Sequence, residues 1–122
     1  MSVAVVFTAV SPAQADSNNG RCDVGEACLY RYADSAGGHY DTLSSKKNYS
    51  GMVYYGTSVA VDNTVSSAFN YDVDSNLWFY QYNNWSGDYW GLTAITGTNF
   101  GSAFDNKPSS HCWSSTSGCP TG

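Results

Sequence analysis

The sequence predicts an all-β domain, a small sandwich or barrel of short strands, and three observations carry that expectation. No stretch repeats apolar residues at the 3.6-residue spacing of a helix. Short β-branched and aromatic runs alternate with clusters of Gly, Asn, Asp and Ser, the pattern of strands joined by tight turns. Two short patterns also occur twice, in the same order, so the chain reads as two similar halves. A length of 122 residues suits one hydrophobic core.

The elements follow in chain order. The apolar run from Val3 to Val10 and the Ala13-Gln14-Ala15 ending read as a signal peptide over residues 1–15, short of its basic start, with the mature chain beginning at Asp16. That run is too short to cross a bilayer, which takes about 20 apolar residues, so an exported, secreted protein is expected. Strands are expected at Ala27 to Tyr32, Gly38 to Leu43, Ser58 to Val61, Ser66 to Tyr71, Leu77 to Tyr82, Asp88 to Leu92 and His111 to Trp113. The stretch Ser44 to Tyr55 lacks alternation and is expected as a long loop. Residues 16–113 form the domain, and residues 114–122 are a Ser/Gly-rich tail whose anchor is Cys119.

Export places Cys22, Cys28, Cys112 and Cys119 in an oxidising compartment, where four cysteines read as two disulfides. Three pairings are open, and the sequence-near one, Cys22 with Cys28 and Cys112 with Cys119, is preferred. A four-cysteine zinc site is the alternative, although both spacings are wider than those of zinc knuckles. Ten acidic against five basic residues give a net charge of −5, which repels phosphate backbones and argues against nucleic acid as a partner while favouring cations. No membrane partner is expected either, and the domain is expected as a monomer.

The two halves are defined by their repeats. Tyr30, Gly38 and Tyr40 align with Phe79, Gly87 and Tyr89 at a separation of 49, and Asp62-Asn63-Thr64-Val65-Ser66-Ser67 aligns with Asp105-Asn106-Lys107-Pro108-Ser109-Ser110 at 43. Phe79, Trp85 and Gly87 resemble the Greek-key signature of the βγ-crystallin superfamily, an aromatic, a second aromatic and a glycine in a folded hairpin. The first half has Tyr30 and Gly38 but Ala36 in the place of the second aromatic. The fold this resemblance implies is a βγ-crystallin-like sandwich of two Greek-key motifs.

Both hexapeptides resemble that superfamily's calcium signature: two Asn or Asp residues, two of any kind, Ser or Thr, then Ser. Calcium takes six to eight oxygen ligands from carboxylates, amides, hydroxyls, carbonyls and water, and these loops are rich in such oxygens. The resemblance implies two calcium sites shared between the halves. Asn63 and Asn106 supply side-chain oxygens, Thr64 and Lys107 carbonyls, Ser66 and Ser109 hydroxyls, and a hairpin carbonyl comes from near Arg31 and near Tyr80. Asp62 and Asp105 brace the loops or add charge. Asn rather than Asp at the second position leaves few formal charges, so an affinity of about 10⁻⁴ to 10⁻⁵ M is expected. Read without the resemblance, the hexapeptides are β-arches whose serines bond backbone groups.

The run Cys22-Asp-Val-Gly-Glu-Ala-Cys28-Leu29-Tyr30 is similar to the opening of secreted bacterial members of the metalloproteinase-inhibitor type, and the likeness extends to about Trp113. It implies a secreted metalloprotease as a partner, with Ser44 to Tyr55 the one loop suited to reach an enzyme cleft. A carbohydrate-binding module is the alternative, using Trp78, Trp85, Trp90, Trp113 and the ten tyrosines as stacking surface; an exposed row around Trp90 would distinguish it. An enzyme is not expected. His39 and His111 are the only histidines, and no nucleophile elbow, zinc-protease helix or carboxylate pair accompanies them.

Overall fold

The structure is a computed structural model that describes residues 18–120, so the leader expected at 1–15 lies outside the described residues. Among the described residues seven strands form: β1 (Ala27–Tyr32), β2 (Ala36–Thr42), β3 (Ser67–Asn70), β4 (Leu77–Tyr82), β5 (Ser86–Leu92), β6 (Thr96–Asn99) and β7 (Ser110–Trp113). They make two antiparallel sheets, in the orders β2-β1-β3-β6 and β5-β4-β7. Two similar units are visible, since β1–β2 and β4–β5 are hairpins and β3 and β7 lie beside the first strand of each. The fourth position of each sheet is filled from the opposite unit. Strand β6 follows the second hairpin yet pairs with β3, whereas Lys46 follows the first hairpin and bridges to His111 of β7.

Between the sheets lies a core of Leu29, Tyr40, Val61, Val65, Leu77, Phe79, Leu92, Phe100, Phe104 and Trp113. Burying a large apolar side chain contributes about 1.5–3 kcal/mol, so these residues dominate the favourable side of folding. Phe79 meets Phe100 edge-on at 5.2 Å, and Phe100 meets Phe104 at 5.4 Å, so aromatic rings link the two sheets.

Most of the expected strands form. The one expected at Ser58 to Val61 does not: there the chain folds back on itself, through a single bridge from Val53 to Ala60 and the bond from Val61 N–H to the Met52 carbonyl. That arch delivers Tyr54 and Val61 into the core, which explains its apolar content without a ladder. Strand β6 was not expected, because Thr96-Gly-Thr-Asn99 offers no apolar side chain. Backbone pairing to β3 holds it, and Phe69 packs so closely on Gly97 that an added Cβ would lie 2.9 Å from the ring.

Segment 44–55 is less free than a projecting loop. Tyr49 and Tyr54 are fully buried, Tyr49 N–H donates to the Ser109 carbonyl, and Lys46 and His111 exchange backbone hydrogen bonds. Both disulfides take the sequence-near pairing, Cys22–Cys28 and Cys112–Cys119, each with Cα atoms 5.8 Å apart, which leaves no thiols for zinc and indicates an oxidising compartment. Cys119 is not the tail's only anchor. Ser114 N–H bonds the Asn76 carbonyl, and the Ser115 and Thr116 hydroxyls meet those of Ser75 and Ser45.

Two buried polar clusters are built into this frame. His111 sits with Nδ1 2.7 Å from the Tyr49 hydroxyl and Nε2 2.9 Å from the Ser44 carbonyl, so Nε2 carries the proton and Nδ1 accepts from tyrosine. Burial lowers its pKa to about 4, opposed by the Ser44 carbonyl and aided by the Lys46 charge. At the other end Asp41 accepts from the Asn19 and Gly20 backbone N–H groups at 3.0 and 3.1 Å, and its Oδ2 lies 2.8 Å from His39 Nε2. The buried Glu26 beside it takes the Asp23 N–H on Oε1, and burial, then the neighbouring Asp41 and Asp23 charges, raise its pKa to about 7 against the pull of that hydrogen bond.

Candidate functional site

The hairpins and the hexapeptides meet where the two units join. The β1–β2 turn holds Asp34, Ser35 and Gly37 at φ of 62°, 56° and 78°, and the β4–β5 turn holds Asn84, Trp85 and Gly87 at 58°, 56° and 84°. Non-glycine residues at positive φ are costly, on the order of 1–2 kcal/mol each, and a bulky Trp85 there is an outlier. Tyr32 and Tyr82 lie over Gly37 and Gly87, where an added Cβ would come within 2.3 and 2.5 Å of the rings. Both hairpins therefore need glycine at that place.

These equivalences set the register of the repeat. Tyr30 pairs with His39 as Tyr80 pairs with Tyr89, and Tyr32 with Ala36 as Tyr82 with Ser86, a separation of 50. The separation of 49 expected from sequence aligned Gly38 with Gly87; the structural partner of Gly87 is Gly37, and Ser35 stands where Trp85 does. The hexapeptide separation of 43 holds, since Tyr30 faces Ser67 as Tyr80 faces Ser110.

The last serine of each hexapeptide has a role that sequence reasoning missed. Ser67 Oγ donates to the Tyr32 carbonyl at 2.6 Å and accepts the Ser35 N–H at 3.0 Å. Ser110 Oγ does the same for the Tyr82 carbonyl at 2.6 Å and the Trp85 N–H at 3.2 Å. Each hydroxyl thus clamps the folded hairpin of its own unit. The only trace of this in the sequence is that both hexapeptides end in Ser-Ser.

The remaining positions bind the two loops to each other. Asn63 and Asn106 take φ of 59° and 61°; Asn63 N–H bonds the Pro108 carbonyl, and Asn106 N–H bonds the equivalent Val65 carbonyl. Ser66 Oγ donates to Asn106 Oδ1 at 3.2 Å, and Ser109 Oγ donates to Asn63 Oδ1 at 3.0 Å. One cradle of about 250 Å³ is lined by Arg31, Tyr32, Asn63, Thr64, Ser66 and Asn106. Five of the eight residues expected as ligands from sequence are thereby brought together: Arg31, Asn63, Thr64, Ser66 and Asn106. Lys107 and Ser109 stand at the equivalent places of the other loop pair. Tyr80 does not correspond to Arg31: its carbonyl accepts Ser109 N–H, as that of Tyr30 accepts Ser66 N–H, and Gln81 stands in the place of Arg31.

Electrostatically the cradle has no carboxylate in its lining, and no group of three or more His, Cys, Asp or Glu among the described residues is placed to hold a metal. At the first position of each hexapeptide, however, Asp62 Oδ1 and Asp105 Oδ1 are buried and have no hydrogen-bond partner. The amide, hydroxyl and carbonyl oxygens that the paired loops gather make an oxygen donor set that fits a hard cation, and the unpartnered carboxylate oxygens at both equivalent places leave the same hexapeptides with unmet demand for one. The Arg31 guanidinium lies 5.2 Å from the Tyr32 ring centroid, and its charge also pulls back the Tyr54 hydroxyl, whose pKa burial raises to about 12.

The aromatic surface is arranged differently from a stacking platform. Trp113 is buried, Trp90 packs edge-on against Phe100 at 5.4 Å and beside Phe104, and Trp85 bonds the His111 carbonyl through Nε1. A shallow hollow of about 350 Å³ is lined by Gly87, Asp88, Tyr89, Trp90, Ala103 and Phe104.

No family model matches the chain, and no curated protein sequence matches it. Solved structures do. A chain from work on the evolution of the eye-lens βγ-crystallin domain fold superposes with a TM-score of 0.66 at 13% identity, over 81% of this chain and 95% of its own. A βγ-crystallin from an archaeon gives 0.55 at 24% identity, over 74% and 98%. A βγ-crystallin domain from Clostridium beijerinckii gives 0.59 at 16% identity, over 75% and 99%. The chain has the βγ-crystallin fold.

Proposed function

With that fold as its frame, we propose that the protein binds calcium at the paired hexapeptide loops. The observation that supports it is the reciprocal contact of the two loops, Ser66 with Asn106 and Ser109 with Asn63, which gathers amide, hydroxyl and carbonyl oxygens in hexapeptides that each also hold an unpartnered aspartate oxygen, on Asp62 and Asp105. In the first site Asn106 Oδ1, the Thr64 carbonyl, Ser66 Oγ and the Arg31 carbonyl hold the ion. In the second, Asn63 Oδ1, the Lys107 carbonyl, Ser109 Oγ and the Gln81 carbonyl do so. Water completes the six to eight oxygens that calcium takes. Zinc and copper prefer nitrogen and sulfur donors, which these loops lack.

Bound calcium crosslinks the two loops and stabilises the folded state by mass action. At a tenfold excess over a dissociation constant near 10⁻⁴ M, the gain is about 1.4 kcal/mol per site, or roughly 6 °C in melting temperature for a domain of this size. A thermal melt of the mature protein in 1 mM calcium and in chelator measures it, with magnesium as the control and calorimetry for the number of sites. A melting temperature that does not move between calcium and chelator, with no heat of binding, would remove the proposal.

The secreted setting is supported by the two disulfides, and the physiological role that fits is a calcium-stabilised extracellular protein. Inhibition of a secreted metalloprotease needs a rigid segment that projects into a cleft, whereas residues 44–55 are anchored by the buried Tyr49 and Tyr54. Carbohydrate binding needs an exposed row of rings, whereas Trp90 is partly buried against Phe100 and Phe104. Calcium binding is the reading with the most structural support.

A further inference from the structure

We infer that Arg31 and Lys107 hold the two loop pairs at low calcium affinity, each by placing one permanent positive charge beside coordinating amide, hydroxyl and carbonyl oxygens that are themselves uncharged. The inference rests on the calcium reading above and concerns which side chains tune it. The two sites are built from equivalent backbone positions but are not chemically equivalent. Arg31 in the first unit corresponds to Gln81 in the second, and Thr64 in the first loop corresponds to Lys107 in the second. Each site therefore carries one cation, at a different place.

The Arg31 side chain is not neutralised. It lines the cradle, it lies over the Tyr32 ring, and among the described residues it makes no ion pair; the arginine that does so is Arg21, with Asp23. No carboxylate lines the cradle to offset it. Lys107 is exposed, as is Asn106 beside it, and likewise has no ion pair among the described residues. Both residues would give calcium a backbone carbonyl, so their side chains can be exchanged without removing a ligand. A unit charge about 8 Å from a divalent ion in water opposes binding by a few-fold, an effect that salt screens.

The test is calorimetric titration of calcium into the wild type, Arg31→Gln, Arg31→Lys, Lys107→Thr and the Arg31→Gln/Lys107→Thr double variant. It is run at about 20 mM and about 500 mM ionic strength, with melting temperature as a second readout. Arg31→Gln and Lys107→Thr should each tighten one site about 3- to 10-fold at low salt, with a smaller gain at high salt. Arg31→Lys should leave affinity within about 2-fold of the wild type, because it keeps the charge and loses only the stacking. If calcium binds the wild type but the neutral variants do not tighten it, or Arg31→Lys tightens it as much as Arg31→Gln, the inference fails and the calcium reading stands. If neither the wild type nor the double variant shows heat or a shift in melting temperature, the calcium reading fails and takes the inference with it.

Discussion

Replacing Ser67 and Ser110 together by alanine is expected to remove about 4 kcal/mol of folding stability, a large share of the 5–15 kcal/mol available to a domain. Each hydroxyl satisfies one carbonyl and one N–H of a hairpin that already holds two non-glycine residues at positive φ. Both serines are buried, at 1% and 0% exposure, and alanine supplies neither the donor nor the acceptor. A single alanine leaves two backbone groups short of a partner and should cost about 2 kcal/mol, since an unmade buried hydrogen bond costs about 1–3. Urea unfolding of the two single variants and the double variant measures this. Single-variant losses below about 0.5 kcal/mol would show that the hairpins hold their shape without the clamps.

The second large effect is one of pH. His111 is neutral in the folded protein, with a pKa lowered to about 4, and titrates near its ordinary 6.5 when unfolded. Above 6.5 neither state takes a proton. Between 6.5 and about 4 only the unfolded chain does, so stability falls as pH falls, by about 3 kcal/mol across the window. Glu26 acts in the opposite sense. Its pKa is raised to about 7 from 4.5, so between those values the folded state holds a proton that the unfolded chain has released, and stability falls as pH rises. The two slopes overlap between 4.5 and 6.5 and largely cancel there. Glu26→Gln should therefore expose the His111 slope, giving a stability that climbs from pH 4 to 6.5 where the wild type is nearly flat. Denaturant titrations at half-unit pH steps read the slope, and the His111 ring proton shifts should show a neutral imidazole at pH 5. A His111 that titrates near 6.5 in the folded protein would overturn the account.

The strands with bulky side chains on a buried face were legible in the sequence. Ala27–Tyr32 and Leu77–Tyr82 form over the expected bounds, because Ala27 and Leu29 in one and Leu77 and Phe79 in the other have one place to go, the space between the sheets. Thr96–Asn99 was not legible, since an edge strand held by its neighbour's backbone needs no pattern of its own. In the site, the hexapeptides were found in their true register because Asn63 and Asn106, and Ser66 and Ser109, are identical pairs. The hairpins were misaligned by one residue because Gly37 and Gly38 are adjacent and only φ distinguishes them. Gly37 sits at 78° under Tyr32, while Gly38 has no positive φ and packs against Tyr54. That single step set Tyr80, rather than Gln81, opposite Arg31 in the repeat. The clamps by Ser67 and Ser110 escaped because hydroxyl-to-backbone bonds across 32 to 35 and 25 to 28 residues have no local signature.

The crossed placement of β6 and Lys46 makes each unit dependent on the other. A chain holding only one of the two units would have no strand of its own to lay beside β3 or β7, and its open edge would be the kind that recruits another copy. The covalent link after Tyr71 makes both pairings intramolecular, so neither sheet depends on protein concentration for its completion.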